Sequence, residues 1–272
     1  MNRLLRFPRM SSDSLQHNGL HSFAQKQALA VYGIGAVYTQ IPKNACSTLR
    51  YSLAIHNGYL RAGDDPEWIH NNNLTFVADK RMLAEAQYTF VVVRCPYRRL
   101  VSAYLNKVVD AKLVARVLVA KSGAQQDIDA VQAAEIHALS FAEFAQICLS
   151  PPSGTIDFHW LPQVNFLVYE DYDDWFSVEA FDKATETLGR RGLVVHDTRD
   201  RLTHSTTRLE KVAGNFAHVP ASELYRMKKA GKVPQYESLY DDATRAAVEK
   251  NYASDFKMYR EKVGPGSLMF PD

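Results

Sequence analysis

Ala36-Val-Tyr-Thr-Gln-Ile41, followed at once by Pro42-Lys-Asn-Ala-Cys-Ser-Thr48, is the stretch that decides the fold. The first six residues are mostly apolar or β-branched, a composition that predicts a buried strand. The apolar spacing from Leu49 onward predicts a helix, with Ser47 or Thr48 as its N-cap. A loop that joins a strand to a helix N-terminus points several backbone N–H groups at one spot. The stretch therefore predicts an anion site, for phosphate above all.

The loop differs from the common triphosphate-binding loop, which has glycines in front of a Lys-Ser/Thr pair. Here Lys43 comes first and no glycine is present. The order Pro-Lys-x-Ala-Cys-Ser-Thr resembles the 5′-phosphosulfate loop of sulfotransferases that use 3′-phosphoadenosine 5′-phosphosulfate (PAPS). Taken alone, it also fits a surface lysine before an ordinary capped helix. The resemblance implies that the donor is bound by Lys43, Asn44, Ala45, Cys46, Ser47 and Thr48.

A second stretch, Tyr88-Thr-Phe-Val-Val-Val93, is the clearest buried strand of the chain. It runs into Arg94-Cys-Pro-Tyr-Arg-Arg-Leu-Val-Ser-Ala-Tyr104, in which Pro96 fits the first turn of a helix. Arg94 then lies at the carboxyl end of a strand, where open α/β sheets bind ligands. This pattern resembles the 3′-phosphate motif of the same enzymes, which implies that Arg94 and Ser102 hold that phosphate.

Three weaker elements extend the similarity to carbohydrate (Golgi-type, family 2) sulfotransferases across roughly residues 36–260. Asp157-Phe-His-Trp-Leu-Pro-Gln163 resembles an element of enzymes that act on chondroitin-like glycans. Thr203-His-Ser-Thr206 resembles a polar patch, in which Ser205 is expected to contact the nucleotide. Asn251-Tyr-Ala-Ser-Asp-Phe256 resembles the closing signature, with a packing role. The implied fold is one P-loop-like, three-layer α/β domain with a mostly parallel sheet.

Sulfuryl transfer to a hydroxyl needs a general base with a pKa near neutrality, so histidine is the natural choice. His70 lies between the two donor motifs and resembles the catalytic histidine of uronyl sulfotransferases. His159 could instead contact an acceptor sugar, with Trp160 offering a stacking face. We favour His70 as the base. Lys43 would neutralise the charge that develops on the bridging oxygen, and neither step requires a metal.

Composition restricts the function further. A net charge of +2 over 272 residues argues against bulk nucleic-acid binding. No apolar run of about 18 residues exists, so no membrane span is expected. The three scattered cysteines favour a reducing compartment, and we expect a cytoplasmic protein.

The expected organisation is an irregular arm over residues 1–30, a sulfotransferase domain over 31–264 and a tail over 265–272. Further predicted elements are a loop over 58–73, a strand over 74–77, a helix over 80–87, a helix from Pro96 to about 120, a polar insertion over 121–129, a helix opened by the capping box Ser140–Glu143, a helix over 177–188, a strand over 193–195 and a long helix over 241–262.

Two other functions fit parts of the pattern. A P-loop nucleotide kinase would share the strand–loop–helix, but the loop of this chain lacks the glycines and the Lys-Ser/Thr pair of such a kinase. A non-catalytic module that binds the nucleotide or a glycan would keep the binding loops without needing a base. Neither the acceptor nor the oligomeric state can be read from the sequence.

Overall fold

The computed structural model describes residues 3–8, 10, 14–72, 74–110, 138–149, 157–199, 201 and 208–271. Its α-helices are α1 Gly19–Lys26, α2 Cys46–His56, α3 Trp68–Asn71, α4 Lys80–Glu85, α5 Pro96–Tyr104, α6 Phe141–Leu149, α7 Phe181–Arg190, α8 Ala221–Lys229, α9 Asp242–Asn251 and α10 Ala253–Lys262. Its strands are β1 Ala28–Val31, β2 Ala36–Thr39, β3 Tyr88–Val93, β4 Asp174–Ser177, β5 Glu210–Val212 and β6 Lys232–Pro234.

The chain divides into two compact units. The first unit consists of Met1–Arg94, Pro162–Thr203 and Met258–Ser267. The second consists of Cys95–Leu161, His204–Lys257 and Leu268–Asp272.

The first unit is organised around a sheet with the strand order β1-β2-β3-β4. Strand β1 pairs antiparallel with β2, whereas β2, β3 and β4 are parallel. All six residues of β3 are buried, as its run of valines predicts. The mixed α/β class with a mostly parallel sheet is therefore confirmed, and the P-loop-like three-layer arrangement stays a prediction.

The core of the first unit joins this sheet to helix α2. The rings of Tyr38 and Phe90, on neighbouring strands, stack with their centroids 5.1 Å apart. Leu49 and Leu53 of α2 are fully buried in the same cluster. This packing fixes the helix over the sheet, and with it the loop that connects β2 to α2.

The second unit has an aromatic core. The Tyr97 ring meets Phe256 and Phe270 edge-on, with centroids 4.8 and 4.9 Å away. The buried hydroxyl of Tyr252 donates to the carbonyl of Trp160 over 2.6 Å. The closing signature, which contains Tyr252 and Phe256, thus has the predicted packing role.

Several predicted helix ends are confirmed. Pro96 lies in the first turn of α5. The amide of Ser140 donates to the Glu143 carboxylate over 2.8 Å, and the Glu143 amide donates back to Ser140 Oγ over 3.3 Å, which is a capping box. The Asp241 side chain caps α9 by accepting from the Thr244 amide.

The irregular arm predicted over residues 1–30 is wrong from Asn18 onward. Asn18 Oδ1 accepts from the His21 amide over 2.9 Å and caps helix α1. Strand β1 follows and pairs with β2, Ala28 standing opposite Thr39. Pairing along β2 stabilises this short apolar segment as a strand, and no local pattern reveals such a partner.

Two predicted strands are absent from the described sheet. Of residues 74–77, Val77 alone forms an isolated bridge, with Leu29, while the residues before it form turns. Residues 193–195 have no strand partner, yet Leu193 is fully buried in the core and Val194 is 60% exposed. The apolar run predicts a strand, but only its first side chain, Leu193, is buried in the core.

Two helix predictions and one loop prediction need correction. The predicted helix over 241–262 is divided between α9 and α10, because the chain leaves helical geometry at Tyr252. The helix from Pro96 is followed by a π-helical turn, Leu105–Val109, and its predicted continuation lies outside the described residues, as does the insertion over 121–129. The loop predicted over 58–73 contains the short helix α3.

The remaining short helices match their predictions closely. Residues 80–87 contain α4, and residues 177–188 contain a 3-10 turn, Val178–Ala180, that leads into α7. Within the described parts of the chain, no helix combines the length and the apolar character needed to cross a membrane.

Candidate active site

The loop between β2 and α2 has an unusual backbone. Lys43 and Ala45 both occupy the left-handed region, with φ values of 72° and 57°. That conformation costs a non-glycine residue about 1–2 kcal/mol, so the surroundings must hold it. Left-handed residues turn successive backbone N–H groups toward one side, as in anion-binding nests.

The loop ends at Ala45, which is the N-cap of α2 and has no side-chain cap bond. The prediction that Ser47 or Thr48 caps the helix is therefore wrong, because the helix already begins at Cys46. The Leu49 amide donates to the Ala45 carbonyl over 3.1 Å and closes the first turn. The amides of the three preceding residues point out of the helix N-terminus, and no acidic residue lies in this turn. The turn is suited to an anion.

Thr48 and Ser47 differ in their availability. Thr48 is 7% exposed, and its hydroxyl pairs with that of Thr198 at 3.0 Å. Ser47 is half-buried in the first turn. The predicted phosphate contact thus fits the Ser47 side chain and the backbone amides better than the Thr48 hydroxyl.

Asn44 and Gln163 link the loop to the end of β3. Both side chains are fully buried. Asn44 Nδ2 donates to the Val92 carbonyl over 3.0 Å and to Gln163 Oε1 over 2.6 Å. Gln163 Oε1 also accepts from the Arg94 amide over 2.9 Å, while its Nε2 donates to the Arg94 carbonyl over 2.8 Å. Both N–H groups of the Asn44 side chain are thus used inside the protein. The contact with PAPS that is predicted for Asn44 can therefore come only from its backbone.

Arg94 completes this edge of the first unit. It directly follows β3, the parallel neighbour of β2, and its Nη1 donates to the Lys43 carbonyl over 3.0 Å. Arg94, the first residue of the second predicted motif, thus contacts the loop of the first motif at the carboxyl ends of adjacent parallel strands, the place that the sequence predicts for it. A guanidinium is a planar fork of N–H donors that suits a phosphate.

Helix α2 also holds the segment that carries His70. Arg50 is 9% exposed, and its Nη2 donates to the carbonyl of Ile69 in α3. Burial lowers the pKa of the Arg50 guanidinium from its ordinary value. The neighbouring His70 side chain is 40% exposed, with Nε2 3.6 Å from the Glu67 carboxylate. An exposed imidazole on an anchored helix can reach a solvent-borne substrate.

His159, in the second unit, is held more tightly. Its Nδ1 lies 2.6 Å from Asp157 Oδ1, which also accepts from the His159 amide over 2.8 Å. Burial alone would raise the pKa of Asp157, but the hydrogen bonds and charge of His159 bring it below its ordinary value. The carboxylate is therefore ionised at neutral pH and only accepts, so Nδ1 carries the proton. Ser102, also in this unit, is half-buried in α5.

The structure contradicts the expected role of Trp160 and does not describe Ser205. Trp160 is 5% exposed and meets the Phe144 ring edge-on at 5.3 Å, so it is a core residue and cannot stack on a sugar. Ser205 and the patch around it lie outside the described residues.

Sequence reasoning missed the role of Gln163, which it assigned to a glycan-related element. Its position directly after a proline at a turn gives no local signal of a buried link.

Comparison with known proteins gives one match. A family model described as "Sulfotransferase family" matches residues 34–260, which span most of the chain and include both donor motifs. No curated protein and no solved structure matches the chain.

Proposed function

The chain belongs to the sulfotransferase family, and on that premise we propose that it transfers a sulfuryl group from PAPS to a hydroxyl of a saccharide. The observation that carries the proposal is the contact between Arg94 Nη1 and the Lys43 carbonyl. It brings together the two residues expected to bind the two ends of one donor. A strained loop and an uncapped helix N-terminus complete an anion-binding edge.

In the proposed reaction, the bond between sulfur and the bridging oxygen of the donor breaks, and the acceptor oxygen bonds to sulfur. The hydroxyl proton passes to a base, and adenosine 3′,5′-bisphosphate leaves with the electron pair of the broken bond. Lys43 neutralises the charge that develops on the bridging oxygen. The amides of the loop and of the first turn of α2 hold the 5′-phosphate. The 3′-phosphate is held by Arg94 and Ser102, with a further nucleotide contact from Ser205.

We propose His70 as the base. Its imidazole is exposed to solvent, and its helix is anchored to α2, the helix that begins at the donor loop. His159 is the second candidate because Asp157 fixes its tautomer, as an orienting carboxylate does for many general bases. In our proposal His159 contacts the acceptor instead.

The saccharide class of the acceptor is supported by the resemblance of the segment from His159 to Gln163. A cytoplasmic location is also proposed, since Cys46, Cys95 and Cys148 are thiols and none of them forms a disulfide.

Calorimetry with adenosine 3′,5′-bisphosphate and adenosine 5′-monophosphate tests the donor assignment. The bisphosphate should bind about ten- to a hundredfold more tightly, as charge-assisted bonds to one phosphate are worth roughly 1.5–3 kcal/mol. Arg94→Ala should remove most of the difference. The control is Arg98→Ala, which removes an arginine from a surface pair with Glu237. Equal affinity of the wild-type protein for both ligands contradicts the assignment.

A further inference from the structure

Gln163 connects the two segments that are proposed to bind PAPS, the loop after β2 and the residue Arg94 after β3. Its Oε1 accepts from both Asn44 Nδ2 and the Arg94 amide, so one atom joins the loop after β2 to the residue after β3. We infer that Gln163 is a positioning residue that fixes the loop and Arg94 at the separation required by the two phosphates of the donor. The inference rests on the proposed function.

The orientation of both amides is determined by their partners. The Val92 carbonyl can only accept, so it must face Asn44 Nδ2, and the second N–H of that group then points at Gln163 Oε1. In the same way, the Arg94 carbonyl faces Gln163 Nε2 and the Arg94 amide faces Oε1. A hydrocarbon side chain at 163 would leave a buried Asn44 N–H and both backbone groups of Arg94 without these bonds.

A direct contact between Gln163 and the donor does not fit this arrangement. Gln163 and Asn44 are both 0% exposed. They act through the backbone of Arg94 and through the loop that carries Lys43. Because the 5′-phosphosulfate and the 3′-phosphate belong to one ribose, both are bound well only if the two binding elements keep a fixed spacing.

The test is Gln163→Met, which keeps the length of the side chain and removes its hydrogen bonds. The readout is the ratio of the dissociation constants of adenosine 5′-monophosphate and adenosine 3′,5′-bisphosphate, measured by calorimetry. General destabilisation would weaken the binding of both ligands equally and leave the ratio unchanged. If instead the loop and Arg94 lose their fixed separation, we expect the ratio to fall by about tenfold. The matched control is Gln40→Met, another buried glutamine of the first unit, whose Nε2 donates to Gln27 Oε1 over 3.2 Å. It should keep the wild-type ratio.

Gln163→Glu is the second variant and guards against misfolding of the first. An ionised glutamate can still accept from Asn44 and from the Arg94 amide but cannot donate to the Arg94 carbonyl. We expect a smaller decrease of the ratio in the same direction. In an Arg94→Ala background, neither change at 163 should lower the ratio further, because both act through Arg94.

The possible outcomes separate the inference from the function on which it rests. A wild-type protein without a 3′-phosphate preference contradicts the proposed function. A wild-type protein with that preference, together with a folded Gln163 variant that retains it in full, overturns the positioning role alone. An additive decrease in the Arg94→Ala background also overturns it.

Discussion

The Nδ1 atom of His159 lies 2.6 Å from Oδ1 of the half-buried Asp157, whose ionised carboxylate fixes the tautomer of the ring. The His70 ring is more exposed, and its Nε2 lies 3.6 Å from the carboxylate of Glu67, which is itself exposed. A carboxylate that fixes the tautomer would suit a base as well as a substrate contact, so the choice of His70 as the base rests on its accessible ring and its anchored helix. The two histidines therefore lead to different kinetic expectations.

His70→Ala should lower kcat by about 10²–10⁴-fold, the usual contribution of a general base. Binding of adenosine 3′,5′-bisphosphate should stay unchanged, because His70 is not part of the donor loop. Initial rates at saturating donor and calorimetry check both statements. His218→Ala is the control, since His218 is 69% exposed and paired with Asp241. A nearly silent His70→Ala variant would transfer the role to another residue.

His159→Ala should mainly raise the KM for the acceptor. Asp157→Asn should act in the same direction but less strongly, because the ring remains while its tautomer is no longer fixed. Acceptor titrations at saturating donor separate KM from kcat. If His159→Ala instead removes kcat, the two histidines exchange roles. If the His70 and His159 variants both stay active, a carboxylate such as Glu67 or Asp157 becomes the candidate base.

Lys43→Ala should lower kcat much more than it weakens binding of the bisphosphate product. The reason is that the charge which Lys43 neutralises is greatest in the transition state. Single-turnover rates and product calorimetry measure the two effects. An equal loss in both would make Lys43 a binding residue only.

Ala45→Gly should be neutral or stabilise the protein by up to about 1 kcal/mol. Glycine relieves the strain of the left-handed backbone at φ 57°, which is roughly 1–2 kcal/mol. It also loses more conformational entropy on folding than alanine does, which costs about 0.5–1 kcal/mol. Ala247→Gly, in the middle of α9, should cost about 1 kcal/mol and serves as the control. Urea unfolding measures both. Equal destabilisation would argue against a left-handed Ala45.

The elements predicted correctly are those whose signals are local. The run of valines before Arg94 indicates by its composition alone a strand buried on both faces, and the Ser140–Glu143 capping box is contained within one turn. The N-cap at Ala45 was missed because a left-handed alanine depends on contacts that the loop sequence does not reveal.

Interactions distant in sequence account for most other errors. Gln163 bonds to a residue 119 positions away, and β1 is a strand because β2 lies beside it. Trp160 looked like a sugar platform next to His159, but the burial of its ring is decided by Phe144 on a separate helix. Neither the partner of a buried amide nor the exposed side of a ring can be read from adjacent residues.

Incubation with ³⁵S-labelled PAPS and a panel of glycans, phenols and lipids tests the central claim most directly. We predict label on the saccharides, undiminished by EDTA and lost in Lys43→Ala. Label on phenols alone would contradict the saccharide acceptor. Absence of transfer to every acceptor, together with Mg²⁺-dependent turnover of ATP, would contradict sulfuryl transfer itself.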